Sequence, residues 1–146
     1  MKAIVDRLLE GALAVILGGM VLVVSWQVVT RFLLRQPSSV TEELVRFGLV
    51  WLALLGASYG FGQRAHLAID LLPRGPKLDA VVHAAVAVFA SVVLVFGGWR
   101  LVDITLGLGQ TSAALQIERG YVYVVLPLSG LLILFYTIVD FRERAR

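Results

Sequence analysis

Five charged side chains stand between two apolar stretches of the chain: Arg31, Arg35, Glu42, Glu43 and Arg46, in the run WQVVTRFLLRQPSSVTEELVRFGLVW that begins at Trp26 and ends at Trp51. Guanidinium and carboxylate groups in such a pattern do pairing chemistry rather than bond-making. Arg46 follows Glu42 by four residues and Glu43 by three, the separations at which side chains share one helix face. Ser39-Val40-Thr41-Glu42 has the form of a capping box, with the serine hydroxyl accepting from the third amide and the glutamate reaching back to the serine amide. Acids in a first turn are also favoured by the helix dipole. Arg31 follows Gln27 by four residues on one face and precedes the turn Gln36-Pro37-Ser38-Ser39. It is expected to pair with Glu42 or Glu43 across that hairpin, because an arginine at the hydrocarbon boundary otherwise snorkels uncompensated. Such a cluster serves as a brace or as a docking surface, and local physics leaves both open.

Elsewhere the titratable groups are sparse. His66 and Asp70 are four apart and can pair if helical; Pro73-Arg74-Gly75-Pro76 then breaks the helix. His83 lies near the start of an apolar block, where an interfacial histidine facing headgroups is the expectation. There is no His-x-x-x-His pair, no Gly-x-Ser-x-Gly elbow and no phosphate loop, so nothing points to an enzyme or a metal site. All ten acids fall at block edges or in connections. A self-contained ion- or proton-coupled carrier needs ionisable groups near the midplane, and the apolar blocks hold no acid.

Those residues hang on elements dictated by hydropathy. Of 146 residues, 59% are hydrophobic and 16% charged, against about 25% charged in soluble domains; the mean hydropathy is +0.88. Uncharged blocks at 11–30, 47–63, 80–99 and 121–139 are each long enough to cross, or nearly cross, a hydrocarbon core about 30 Å thick. The expectation is an all-α integral membrane protein, a single domain over 1–146. Its four transmembrane helices are placed at about 11–34, 41–63, 78–100 and 120–140, with a short interfacial helix possible at the start of the second. The first block is read as a retained helix, since the small-x-small triplet Ala12-Leu13-Ala14 sits at its start rather than at its end. Gly56-Ala57-Ser58-Tyr59-Gly60 is a GxxxG that lets another helix approach closely.

With both termini inside, eight Lys and Arg residues fall on the cytoplasmic side and five outside, which sets an N-in/C-in orientation. Trp26, Trp51, Trp99, Tyr121 and Tyr123 then lie toward the outer ends as an aromatic belt. The sequence pI near 9.7 reflects charges spread over helix ends, not a basic face for nucleic acid. With no cysteine, disulfides and thiolate chemistry are excluded.

Taken together, Trp26-Gln27-Val28, Arg31-Phe32, Thr41-Glu42-Glu43-Leu44, Arg46-Phe47, Trp51, Gly56-Ala57 and His66-Leu67-Ala68-Ile69-Asp70 resemble the signature of the small membrane subunit of tripartite ATP-independent periplasmic (TRAP) transporters, the DctQ-like family. Thr111-Ser112-Ala113-Ala114-Leu115-Gln116-Ile117, Tyr123 and Leu126-Pro127-Leu128 resemble its last loop and fourth helix. The chain departs from the family pattern where Glu118-Arg119 follow Ile117 in place of a proline.

The resemblance implies a small permease subunit in a bacterial inner membrane, packed in lipid beside a large membrane subunit and served by a periplasmic substrate-binding protein. It implies secondary, sodium-driven uptake of an organic acid. Substrate and ion sites would lie in the large subunit, with no cofactor in this chain. Gln27, Arg31, Glu42, Glu43, Arg46, Trp51, Gly56, Gly60, His66 and Asp70 become partner or structural residues rather than catalytic ones. A stand-alone membrane anchor makes nearly the same sequence demands; a small four-helix exporter would carry a membrane-embedded acid that residues 11–30 lack.

Overall fold

A computed structural model describes residues 2–35, 38–63 and 76–144. These form α1 (Lys2–Phe32), α2 (Ser39–Gly62), α3 (Pro76–Phe89), a π-helical segment (Ala90–Gly97), α4 (Gly98–Gly107), α5 (Arg119–Tyr123) and α6 (Val125–Arg144). Among the described residues, four stretches are long and apolar enough to cross a membrane: Lys2–Phe32, Ser39–Gly62, Val81–Gly107 and Arg119–Phe141. Among the described residues the only β-type pairing is an isolated antiparallel bridge between Thr111 and Glu118.

Helix bounds follow local chemistry. Ser38, extended at φ −94°, caps α2 by accepting from the Thr41 amide, and the Thr41 hydroxyl donates back to the Ser38 carbonyl at 2.9 Å. The cap therefore lies one residue before the expected Ser39, and Glu42 is free of capping duty. The start of the second span is continuous with the rest of α2, so the anticipated interfacial segment is the first turns of that helix. Pro76 opens α3, where its missing N–H costs nothing. Pro127 cannot donate to the Tyr123 carbonyl, which separates α5 from α6 at Val124.

Hydroxyls inside the spans are satisfied locally, as lipid requires. Ser25, Ser91, Thr105 and Thr137 each donate to the carbonyl four residues back. Fully buried Ser58 reaches further: its hydroxyl lies 2.9 Å from the Leu54 carbonyl and 3.2 Å from the Ser129 carbonyl, tying α2 to α6.

Packing runs from α1 to α2, from α2 to α6, and from α6 to the π segment. Leu9, Leu55, Val125 and Tyr136 form the buried core, with Leu13, Ile16, Val50, Trp51 and Leu54 against it. Small residues set the closest approaches. A Cβ on Gly130 would lie 2.8 Å from the Leu94 Cβ and 3.1 Å from the Ala90 carbonyl; one on Gly98 would lie 3.0 Å from the Pro127 nitrogen. The π segment is seated there, and the Gly98 N–H donates to the Val93 carbonyl five residues back. Large apolar side chains such as Val15, Leu22 and Phe96 point outward, more than two-thirds exposed, as expected where lipid is the solvent.

Candidate functional site

Among the described residues, the interhelical contacts made by ionisable side chains gather at the two ends of the bundle. One end holds the start of α1, the end of α2, the start of α3 and the end of α6. The other holds the α1–α2 turn and the loop at 108–118.

At the loop end, Glu43 is the organising residue. Its Oε2 accepts from the Ala114 and Leu115 amides at 2.9 Å each, across 71 and 72 residues of sequence. The Ser112 hydroxyl lies beside the same carboxylate and Ser112 is 1% exposed. Backbone geometry presents the two amides: the Ser112 amide donates to the Ile117 carbonyl at 2.8 Å, the Arg119 amide donates to the Gln110 carbonyl at 2.9 Å, and Gln116 adopts φ 57° to turn the chain. A charged acceptor on backbone amides makes a stronger bond than a neutral one.

This arrangement replaces the expected pairing of Arg31. Among the described residues no ion pair joins Arg31 to Glu42 or Glu43; Arg31 is exposed near the end of α1, and Glu42 instead pairs with Arg46 at 3.3 Å. That pair is 70% and 65% exposed, so Arg46→Ala is expected to change stability by no more than about 0.5 kcal/mol. Thermal unfolding of the purified chain checks this.

The remaining sequence-selected residues scatter. Gln27 is half-buried and its carbonyl accepts from the Thr30 hydroxyl at 3.0 Å. Trp51 lies midway along α2 against the buried core rather than at an end, whereas Trp26, Trp99 and Tyr121 are well exposed, as a belt requires. Gly56 faces Leu13 of α1 at ordinary contact distance, 3.9 Å from a built Cβ, so that half of the GxxxG packs within the chain. Gly60 is half-buried. His66 and Asp70 lie outside the described residues.

The opposite end is the part that sequence reasoning missed. His83 Nε2 lies 2.9 Å from Asp140 Oδ2, with both side chains 13% exposed. Histidine at this position therefore turns into the bundle, not toward headgroups, with the Asp140 carboxylate of α6 at ion-pair distance. One turn earlier on α6, the Tyr136 hydroxyl donates to Asp6 Oδ1 at 2.6 Å, and the Tyr59 hydroxyl donates to Glu10 Oε1 at 2.6 Å. The Phe61 ring tilts against His83, with centroids 6.4 Å apart. Among the described residues these three polar pairs join four helices. The legible signal was periodic: Asp6 with Glu10, and Tyr136 with Asp140, are each four apart on one helix face.

Among the described residues no group of three His, Cys, Asp or Glu side chains could hold a metal ion. The chemistry on offer is cross-bracing of membrane helices.

The family described as "Tripartite ATP-independent periplasmic transporters, DctQ component" matches residues 20–146. The chain belongs to the DctQ family. Its relatives include the sialic acid TRAP transporter small permease protein SiaQ of Vibrio cholerae, 26% identical over 137 residues covering 86% of this chain and 79% of SiaQ. Another is the C4-dicarboxylate TRAP transporter small permease protein DctQ of the same organism, 30% identical over 100 residues, 65% of this chain and 43% of that protein. As a DctQ-family chain this is a multi-pass small permease subunit of a TRAP transporter, a class of transport component and not of enzyme. The match covers Glu43 with its loop and His83 with Asp140, whereas Asp6 and Glu10 precede it.

Proposed function

We propose that this chain is the fixed scaffold of its transporter: a four-helix companion that packs beside a large membrane subunit and helps seat a soluble periplasmic binding protein. The observation that carries this reading is where its inward ionisable groups are used. Asp6, Glu43, His83 and Asp140 each join one part of the chain to another, so their chemistry goes into rigidity. In an elevator-type carrier one part stays fixed in the bilayer while another moves, and a braced bundle suits the fixed part; this step is analogy at the level of fold.

The cargo is proposed to be an organic acid, in line with relatives named for sialic acid and for C4-dicarboxylates. Uptake is proposed to run on a sodium gradient, with substrate and ion bound by the large subunit. The Lys and Arg distribution supports cytoplasmic termini in the inner membrane, which puts the Glu43 loop on the periplasmic side.

The test is a mild-detergent pull-down of the chain, tagged at its C-terminus, from its native membrane. A much larger polytopic protein is expected at about equal stoichiometry. Recovery of the chain alone, or only with copies of itself, would overturn the scaffold reading and favour a stand-alone membrane protein.

A further inference from the structure

We propose that Glu43 and the 110–118 loop form a latch, in which a preformed loop is held against the α1–α2 hairpin by one carboxylate and is released as a unit when that contact opens. Three observations carry this. The loop is closed by bonds of its own: Ser112 amide to Ile117 carbonyl, Arg119 amide to Gln110 carbonyl, and the Thr111 to Glu118 bridge. None of these involves Glu43, so all survive its departure. Next, among the described residues Glu43 makes the only side-chain hydrogen bonds between the α1–α2 hairpin and this loop. Both converge on a single oxygen at the loop tip.

Last, the base of the loop is bound on both sides: the Gly109 and Gln110 amides donate to the Leu106 and Thr105 carbonyls of α4 at 3.0 and 3.3 Å. Gly107 and Gly109 have open space around them, and Gly109 sits at φ +58°, a conformation that glycine adopts without strain. On the other side Gly120 is wedged against Leu106, which fixes the loop to α4 and α5. With both legs held at the base, the tip beyond the Gln110 to Arg119 bond is the part that can lift. Opening exposes the Ala114 and Leu115 amides as a paired donor, which water or another acceptor can take.

The latch goes beyond the scaffold reading and does not depend on it, since it is read on the chain's own amides. The experiment is hydrogen exchange on the full-length chain in lipid nanodiscs, comparing the parent with Glu43→Ala and Glu43→Gln. In Glu43→Ala, exchange at the 114 and 115 amides is expected to rise by about tenfold or more, the loss of a charge-assisted bond. Exchange at the 112 and 119 amides, and in α6, stays as in the parent. Glu43→Gln keeps a neutral acceptor, so it falls between the two, and it carries the test should the alanine variant fail to fold. Unchanged protection at 114 and 115 overturns the latch. So does deprotection of 112 and 119 together with 114 and 115, because the loop would then be melting rather than lifting.

Discussion

Gly130→Leu is expected to dismantle the contact between α6 and the π segment, lowering the stability of the purified chain by roughly 3 kcal/mol, the upper end of overpacking costs. The Cβ alone would stand 2.8 Å from the Leu94 Cβ and from the Val95 Cγ2, and 3.1 Å from the Ala90 carbonyl. None of these is the tip of a long flexible side chain, so the helices themselves must separate. In a bilayer, packing of close backbones takes over the role that hydrophobic exclusion plays in water, and loss of this approach removes much of what seats α6. Gly18→Ala is the internal control. Nothing lies within 4 Å of a Cβ there, and alanine in a helix interior is favoured over glycine by about 0.5–1 kcal/mol. Thermal unfolding followed by tryptophan fluorescence should therefore show opposite signs at the two glycines. A neutral Gly130→Leu would mean that α6 and the π segment do not pack as described.

The contrast between these glycines also marks how far the sequence could be read. The four spans were legible because hydropathy is additive along the chain: each apolar block announces itself whatever its neighbours do. The ends were less so. The first helix begins at Lys2 rather than near 11, since Leu9 turns into the core while Asp6 and Glu10 find tyrosine donors on other helices. The third runs on to Gly107 rather than ending near 100, with Arg100 and Asp103 left exposed on its surface. The π segment has no local signal at all, because its register answers to Gly130 and Pro127 on a different element. Glu43 stood among the candidates together with Glu42 and Arg46, yet its partners lie more than 70 residues away and are backbone amides. An amide carries no side-chain identity that a motif could show. Arg31 failed for the complementary reason: charge and proximity in sequence favoured a pair with Glu42 or Glu43, but Arg46 lies on Glu42's own helix face and the loop holds Glu43.

The same distinction between exposed and enclosed charge sets the second large effect. Asp140→Ala is expected to destabilise the bundle by about 2 kcal/mol, within the range for depriving a buried polar group of its partner. His83 and Asp140 are 2.9 Å apart and 13% exposed each, against 70% and 65% for Arg46 and Glu42. Water screens the second pair and competes for both groups; it reaches the first pair poorly, so deleting the carboxylate removes a close polar neighbour from an enclosed imidazole. A double-mutant cycle separates that coupling from lost packing. His83→Ala, Asp140→Ala and their combination should yield an interaction energy of about 1–2 kcal/mol, in line with the stronger polar pairs of membrane helices. The same cycle on Glu42 and Arg46 should yield no more than about 0.5 kcal/mol. Asp140→Asn, which keeps an acceptor oxygen, should recover part of the loss, and Tyr136→Phe one turn away should add to it nearly independently, since its hydroxyl serves Asp6 on α1. Equal coupling in the two cycles would show that enclosure does not strengthen the His83–Asp140 contact. The end of the bundle where α1, α2, α3 and α6 meet would then be held by its apolar packing and by the two tyrosine–carboxylate bonds.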